Sequence, residues 1–165
     1  MATTSIIQEG EAHPTLSHHA QLEIGDDLQA TLAELVDLTL VGKQFHWSVV
    51  GPTFKTLHLS LDELVAEWGV LAASVAERAL AVGAWPDGQA TAVIEASEFA
   101  SVPAGPIRDE EVLRLLTSRL IEVVAHTRSR MDELGTLDLA SQDVLVDVVR
   151  TLEQQLWMIR AQRSS

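Results

Sequence analysis

His46-Trp47-Ser48-Val49-Val50-Gly51-Pro52-Thr53-Phe54-Lys55-Thr56-Leu57-His58 is the stretch that decides the fold, because two helical patterns meet at its Gly51-Pro52 step. Upstream, Leu28, Leu32, Leu35, Val36 and Leu40 keep to one side of a helix that opens on the acids Asp26 and Asp27 and reaches Trp47. Downstream, Leu57, Leu61, Leu64, Val65, Trp68, Leu71, Ala72 and Val75 restore the pattern until Gly83. Proline lacks the N–H a helix interior needs and its ring clashes with the preceding turn, so the chain must break here. A link this short folds the second helix back along the first.

Two further helices follow a long connection. Trp85-Pro86-Asp87-Gly88 and Pro103-Ala104-Gly105-Pro106 bound it with turn-forming residues, and Thr91 to Phe99 has room for a short helix inside it. Asp109-Glu110-Glu111 suits a first helical turn, followed by a stripe of Val112, Leu115, Leu116, Leu120, Val123, Thr127, Met131 and Leu134, with Gly135 as the expected stop. Ser141 is the expected cap of the last helix, whose inner face is Leu145, Val148, Leu152, Leu156 and Ile159. No segment alternates like a strand. The expected fold is all-α, a four-helix bundle with a short helix in the crossover between its second and third members. Residues 1–21 read as an N-terminal tail and 22–165 as the bundle domain.

Composition narrows the chemistry. A chain of 165 residues is a single domain's worth and buries roughly 70% of its extended surface. With no cysteine, any metal must sit on histidine, carboxylate, backbone or water. The net charge is −13, residues 1–42 carry no Lys or Arg, and the chain's lysines are Lys43 and Lys55 alone. Such a surface repels phosphate, so DNA binding is expected to be weak or absent. No run approaches a membrane span and no signal sequence is evident, which predicts a soluble cytoplasmic protein.

His46, His58 and Asp62 gather at the turn, since His58 and Asp62 share a helix face and His46 folds back over Gly51-Pro52. Taken with His-Trp-x-Val-x-Gly, the twelve-residue histidine spacing and Ala76-Glu77-Arg78, these residues resemble the signature of the Dps family, the DNA-binding proteins from starved cells. Ser141-Gln142-Asp143-Val144-Leu145 and Trp157 resemble that family's last helix. The resemblance implies a ferritin-like bundle, a homo-oligomeric twelve-subunit shell, and a ferroxidase that oxidises Fe(II) with hydrogen peroxide or dioxygen and stores the ferric product. Zn(II) is the other candidate for the same site.

Residue by residue, the resemblance makes His46, His58 and Glu77 the iron ligands, with Asp62 as a further candidate. It casts Trp47 as an electron donor beside the site, Asp62, Glu63 and Glu67 as mineral-nucleating acids, and Asp143 as an acid of an entry pore. Asp138 and Asp147 open the same helix; a solvated first turn favoured by the helix dipole is the other reading of all three. One carboxylate of the family pattern is absent, because Ala73 stands where an aspartate is expected. That loss implies impaired two-iron chemistry.

Glu77 lies nineteen residues past His58 on one helix, about 28 Å at 1.5 Å per residue. If both bind one metal, the centre lies between subunits related by a two-fold. Two other functions compete: a nucleoid-associated, DNA-compacting protein, which the acidic tail disfavours, and a passive divalent-metal shell. His13, His18 and His19 in the tail offer an extra metal site, whereas His126 and Glu122 read as surface.

Overall fold

The computed structural model describes residues 13–97 and 99–162. The order is α1 (His18–Ser48), β1 (Val49–Val50), α2 (Phe54–Ala81), α3 (Ala90–Ala96), β2 (Ile107–Arg108), α4 (Asp109–Leu137) and α5 (Leu139–Ala161). α1 packs on α2 and α4 on α5 as two hairpins, joined by the crossover that carries α3. Their shared core holds Phe45, Leu28, Leu35 and Leu38 of α1, Leu61 and Trp68 of α2, Leu116 and Leu120 of α4, and Leu145 and Leu152 of α5, all fully buried. No helix among the described residues is long and apolar enough to cross a membrane.

The helix boundaries depart from expectation where tertiary contacts override local signals. α1 begins at His18, eight residues before Asp26, because the Ser17 hydroxyl accepts the Ala20 N–H and Gln21 donates from its side chain to the Val82 carbonyl at 2.9 Å. That bond ties the first turn of α1 to the end of α2. The first twelve residues of the expected tail lie outside the described residues, as do Arg163 to Ser165.

Gly135 does not stop α4. Its bare Cα leaves room for the Gln142 side chain, whose amide donates to the Met131 carbonyl at 3.2 Å and seals the α4–α5 turn. The last helix is capped by Asp138 instead of Ser141: its carboxylate accepts from the Ser141 N–H at 2.9 Å. A short parallel pair also exists where none was expected, Val49 opposite Ile107 and Val50 opposite Arg108. It stitches the end of the crossover to the α1–α2 turn.

Charged groups align α1 with α4. Glu34, buried, accepts two hydrogen bonds from Arg130 at 2.8 and 3.0 Å and one from His126 at 2.8 Å, while Arg119 donates to Asp37 at 2.9 Å. Buried charge is tolerated here because each group is paired and hydrogen-bonded. His126 is therefore part of an interhelical contact, which the sequence pattern of its own helix did not reveal.

Candidate metal centre at the turn between the first two helices

His46 in the last turn of α1 and His58 near the start of α2 face each other across the turn. The rings stack with centroids 3.6 Å apart and planes at 22°. Each Nδ1 lies against the other residue's main-chain carbonyl oxygen, at 2.8 Å for His46 and 2.9 Å for His58. A carbonyl oxygen only accepts, so Nδ1 carries the proton in both rings, and in the neutral imidazole the lone pair is then on Nε2. Metal-binding histidines are oriented by this kind of contact at the far nitrogen. His46 is buried, and Phe54 tilts against His58 at 5.1 Å.

Asp62 joins the histidines at the turn, as its spacing suggested, but its carboxylate is engaged there by Lys43. Its carboxylate accepts from the Lys43 ammonium at 2.5 Å and lies 3.5 Å from Nδ1 of His46, on the protonated side of that ring. The Lys43 hydrogen bond, assisted by the nearby histidines, holds the Asp62 carboxyl below the ordinary aspartate range. Lys43 sits nineteen residues away on α1, so nothing local marks it as the partner.

Glu77 is exposed on the far half of α2, which runs without a break from Phe54 to Ala81. Within one chain it stays far from the histidine pair. Among the described residues no three His, Asp or Glu side chains converge to hold a metal. Ala73, one turn before Glu77, is also exposed. Leu59, Ala66, Val70, Ala73 and Glu77 follow one another along the solvent side of α2 at helical spacing, with Leu59 53% and Val70 70% exposed. Next to His46, Trp47 is 72% exposed.

The remaining candidates separate clearly. Glu67 is fixed by a chain from the core: the buried Trp68 indole donates to the Gln155 side-chain oxygen at 2.7 Å, and the Gln155 amide donates to Glu67 at 2.5 Å. Glu63 is exposed. Asp143 and Asp147 line a shallow cleft with Ser74 and Arg150. Asp138 is committed elsewhere, accepting from Arg78 and the Ser141 hydroxyl at 2.6 Å each. Partial burial works against ionisation there, but the Ser141 and Arg78 bonds outweigh it and keep the Asp138 carboxyl below its usual value. In the N-terminal segment, Nδ1 of His13 accepts the Thr15 and Leu16 N–H groups, and His19 pairs with Glu23. These histidines do not converge.

Residues 25–164 match the model of the ferritin-like domain. The DNA protection during starvation protein of Mycolicibacterium smegmatis is 34% identical over 154 residues, covering 92% of this chain and 83% of that one. The chain belongs to the Dps family of ferritin-like proteins. Mycobacterium smegmatis Dps in its tetragonal form superposes with a TM-score of 0.91 at 32% identity, covering 96% of both chains. Dps from Microbacterium arborescens in its high iron form superposes with a TM-score of 0.85 at 26% identity, covering 90% of this chain and 97% of that one. The DNA protection during starvation protein 2 of Deinococcus radiodurans is 34% identical over 134 residues, 81% of this chain, and the match spans 56% of its length.

Proposed function

We propose that this protein, in a family whose general province is iron storage and protection, binds and oxidises Fe(II) at a centre shared by two subunits and deposits the ferric product inside a closed twelve-subunit shell. The observation that carries the proposal is the histidine pair: two imidazoles locked as Nδ1–H tautomers, with both Nε2 lone pairs left for a metal. Imidazole and carboxylate suit Fe(II), and water fills the positions that three protein ligands leave open.

The third ligand is Glu77 of a two-fold mate. Pairing the exposed strip from Leu59 to Glu77 antiparallel with its copy buries Leu59 and Val70 and brings each Glu77 toward the other chain's histidines. In the reaction each of two Fe(II) ions loses one electron, hydrogen peroxide takes both, its O–O bond breaks, and two protons complete two waters. Dioxygen is the alternative oxidant. Trp47, exposed beside His46, is the residue placed to donate an electron when a stray radical forms. Glu63 and Glu67 are the acids proposed to nucleate mineral, and Asp143 and Asp147 to line an entry pore.

Ala73 favours a second reading, a shell that binds divalent ions, Zn(II) included, without useful oxidation, because three ligands hold a second iron poorly. An anaerobic Fe(II) titration followed by timed peroxide addition separates the two. Rapid oxidation in proportion to bound Fe(II) is the expected result, whereas binding with no acceleration over protein-free solution leaves the passive shell. A net charge of −13 argues against direct DNA contact in a cytoplasmic or nucleoid setting. A DNA band retarded at about 150 mM salt would refute that part.

A further inference from the structure

We propose that Asp109, at the start of α4, is a positioning residue for the His46–His58 pair, acting through the turn that joins α1 to α2. The proposal rests on the metal-binding reading of that pair and adds a residue from another hairpin of the bundle.

Asp109 is buried although it is an acid in a first helical turn. One carboxylate oxygen accepts the Thr53 N–H at 2.8 Å and the Thr53 hydroxyl at 2.6 Å; the other accepts the Glu110 N–H at 3.1 Å. Thr53 occupies the N-cap position of α2, yet its side chain makes no cap bond to that helix. It is spent on Asp109 instead. Gly51 completes the seat: its φ is +138°, and a β-carbon there would collide with the Asp109 carboxylate. On the other side of the turn, Val49 and Val50 pair with Ile107 and Arg108, the two residues before Asp109. Both flanks of the turn are therefore held by one segment, 107–109.

The histidine pair needs that fixity. His46 closes α1 and His58 opens α2, and each imidazole requires the other's main-chain oxygen within hydrogen-bond reach. Besides the packing of α1 on α2, residues 49–53 fix the offset between those two backbones. A small swing of the turn breaks both bonds together and frees the rings to rotate, which removes the preset direction of both Nε2 lone pairs.

The test uses the assembled protein with Co(II) chloride as an air-stable stand-in for Fe(II). Asp109→Asn keeps the size but leaves one acceptor oxygen and no charge, so the Thr53 and Glu110 donors can no longer both be met; Thr53→Val keeps the volume and loses the hydroxyl; Thr53→Ser keeps the hydroxyl. Expected for the first two is a roughly tenfold loss of Co(II) affinity, the scale for groups that orient metal ligands, with faster hydrogen–deuterium exchange in the peptide from Phe45 to His58. Thr53→Ser should stay close to native in both readouts, and it carries the comparison with Thr53→Val if Asp109→Asn does not fold. Unchanged Co(II) affinity in Asp109→Asn and Thr53→Val, whatever their melting temperatures, overturns the proposal. If the native protein binds Co(II) no better than His58→Ala, the metal reading itself fails, and the exchange comparison alone decides whether Asp109 positions the pair.

Discussion

His46 and His58 each donate an Nδ1 proton to the other's main-chain carbonyl oxygen, so neither ring is oriented without the backbone of its partner. Two helices are thereby joined through the same groups that would hold iron. His58→Ala is expected to lower Fe(II) affinity roughly a hundredfold, about 2.7 kcal/mol, because one of the three proposed protein ligands is lost and His46 loses a stacking neighbour. Calorimetry under anaerobic conditions measures it. Fe(II) affinity within twofold of native would remove His58 from the site.

Asp62 should behave otherwise. Its carboxylate serves Lys43 and the protonated edge of His46, so Asp62→Asn is expected to change Fe(II) binding by less than about twofold, the small effect usual for an exposed ion pair. Lys43→Met should return the Asp62 carboxyl toward its ordinary range, which a carboxylate NMR titration reads. Affinity falling as far in Asp62→Asn as in His58→Ala would make Asp62 a ligand after all.

Local pattern was enough for the helices and for the histidine turn, and not for what holds that turn. The apolar stripe of α2 and the Gly51-Pro52 break are short-range signals, and the His46/His58 spacing lies within one hairpin. Asp109 and Thr53 are 56 residues apart, and first-turn acids are common for dipole reasons alone, so no sequence feature marked Asp109 as a clamp. Lys43 hides its role in the same way. α1 starts ahead of the expected Asp26 because its anchor, Gln21 on the Val82 carbonyl, is a contact between distant residues that no local pattern marks. The exposed row from Leu59 to Glu77, by contrast, is present in the sequence at helical spacing, but it lies off the apolar stripe that marks α2, and only the burial of that stripe shows Leu59 and Val70 to be outward-facing.

Asp27 carries a pH dependence. It borders a cleft of about 410 Å³ with Glu34, His126, Arg130 and Glu133, and burial, then repulsion from Glu133, raises its pKa to about 6. A carboxyl with a raised folded pKa binds its proton more readily in the folded state, so its stabilising contribution is complete below about 4 and is lost as pH rises through about 6. Asp27→Asn should therefore stabilise the protein at pH 7.5 by about 1 kcal/mol, discounted from the full shift because the side chain is partly solvated. The gain should shrink toward pH 4. Thermal melts of both proteins across that range give the answer, and a gain independent of pH would mean Asp27 titrates normally.

Ala73 tests the ligand count. An aspartate there would stand one turn before Glu77 on the same exposed side of α2. Ala73→Asp is expected to tighten iron binding by about 1–3 kcal/mol, the scale of a charge-assisted contact, and to speed peroxide-driven oxidation. If the native protein already holds two irons per site and Ala73→Asp changes neither affinity nor rate, some other group fills the role.

The shared site has a sharper consequence. If each centre takes His58 from one subunit and Glu77 from its two-fold mate, the His58→Ala and Glu77→Ala proteins should each lose Fe(II) oxidation, yet a mixture should regain part of it. In a mixed dimer one centre combines both lesions, and the other receives an intact His58 and an intact Glu77. Random reassembly from equal amounts pairs unlike subunits half the time and repairs one of two centres in each, so about a quarter of native activity should return. The subunits are dissociated, mixed, reassembled and assayed beside each variant treated alone. A centre contained in one chain gives no recovery at any mixing ratio, and that result would contradict the separation of His58 and Glu77 along the unbroken helix α2.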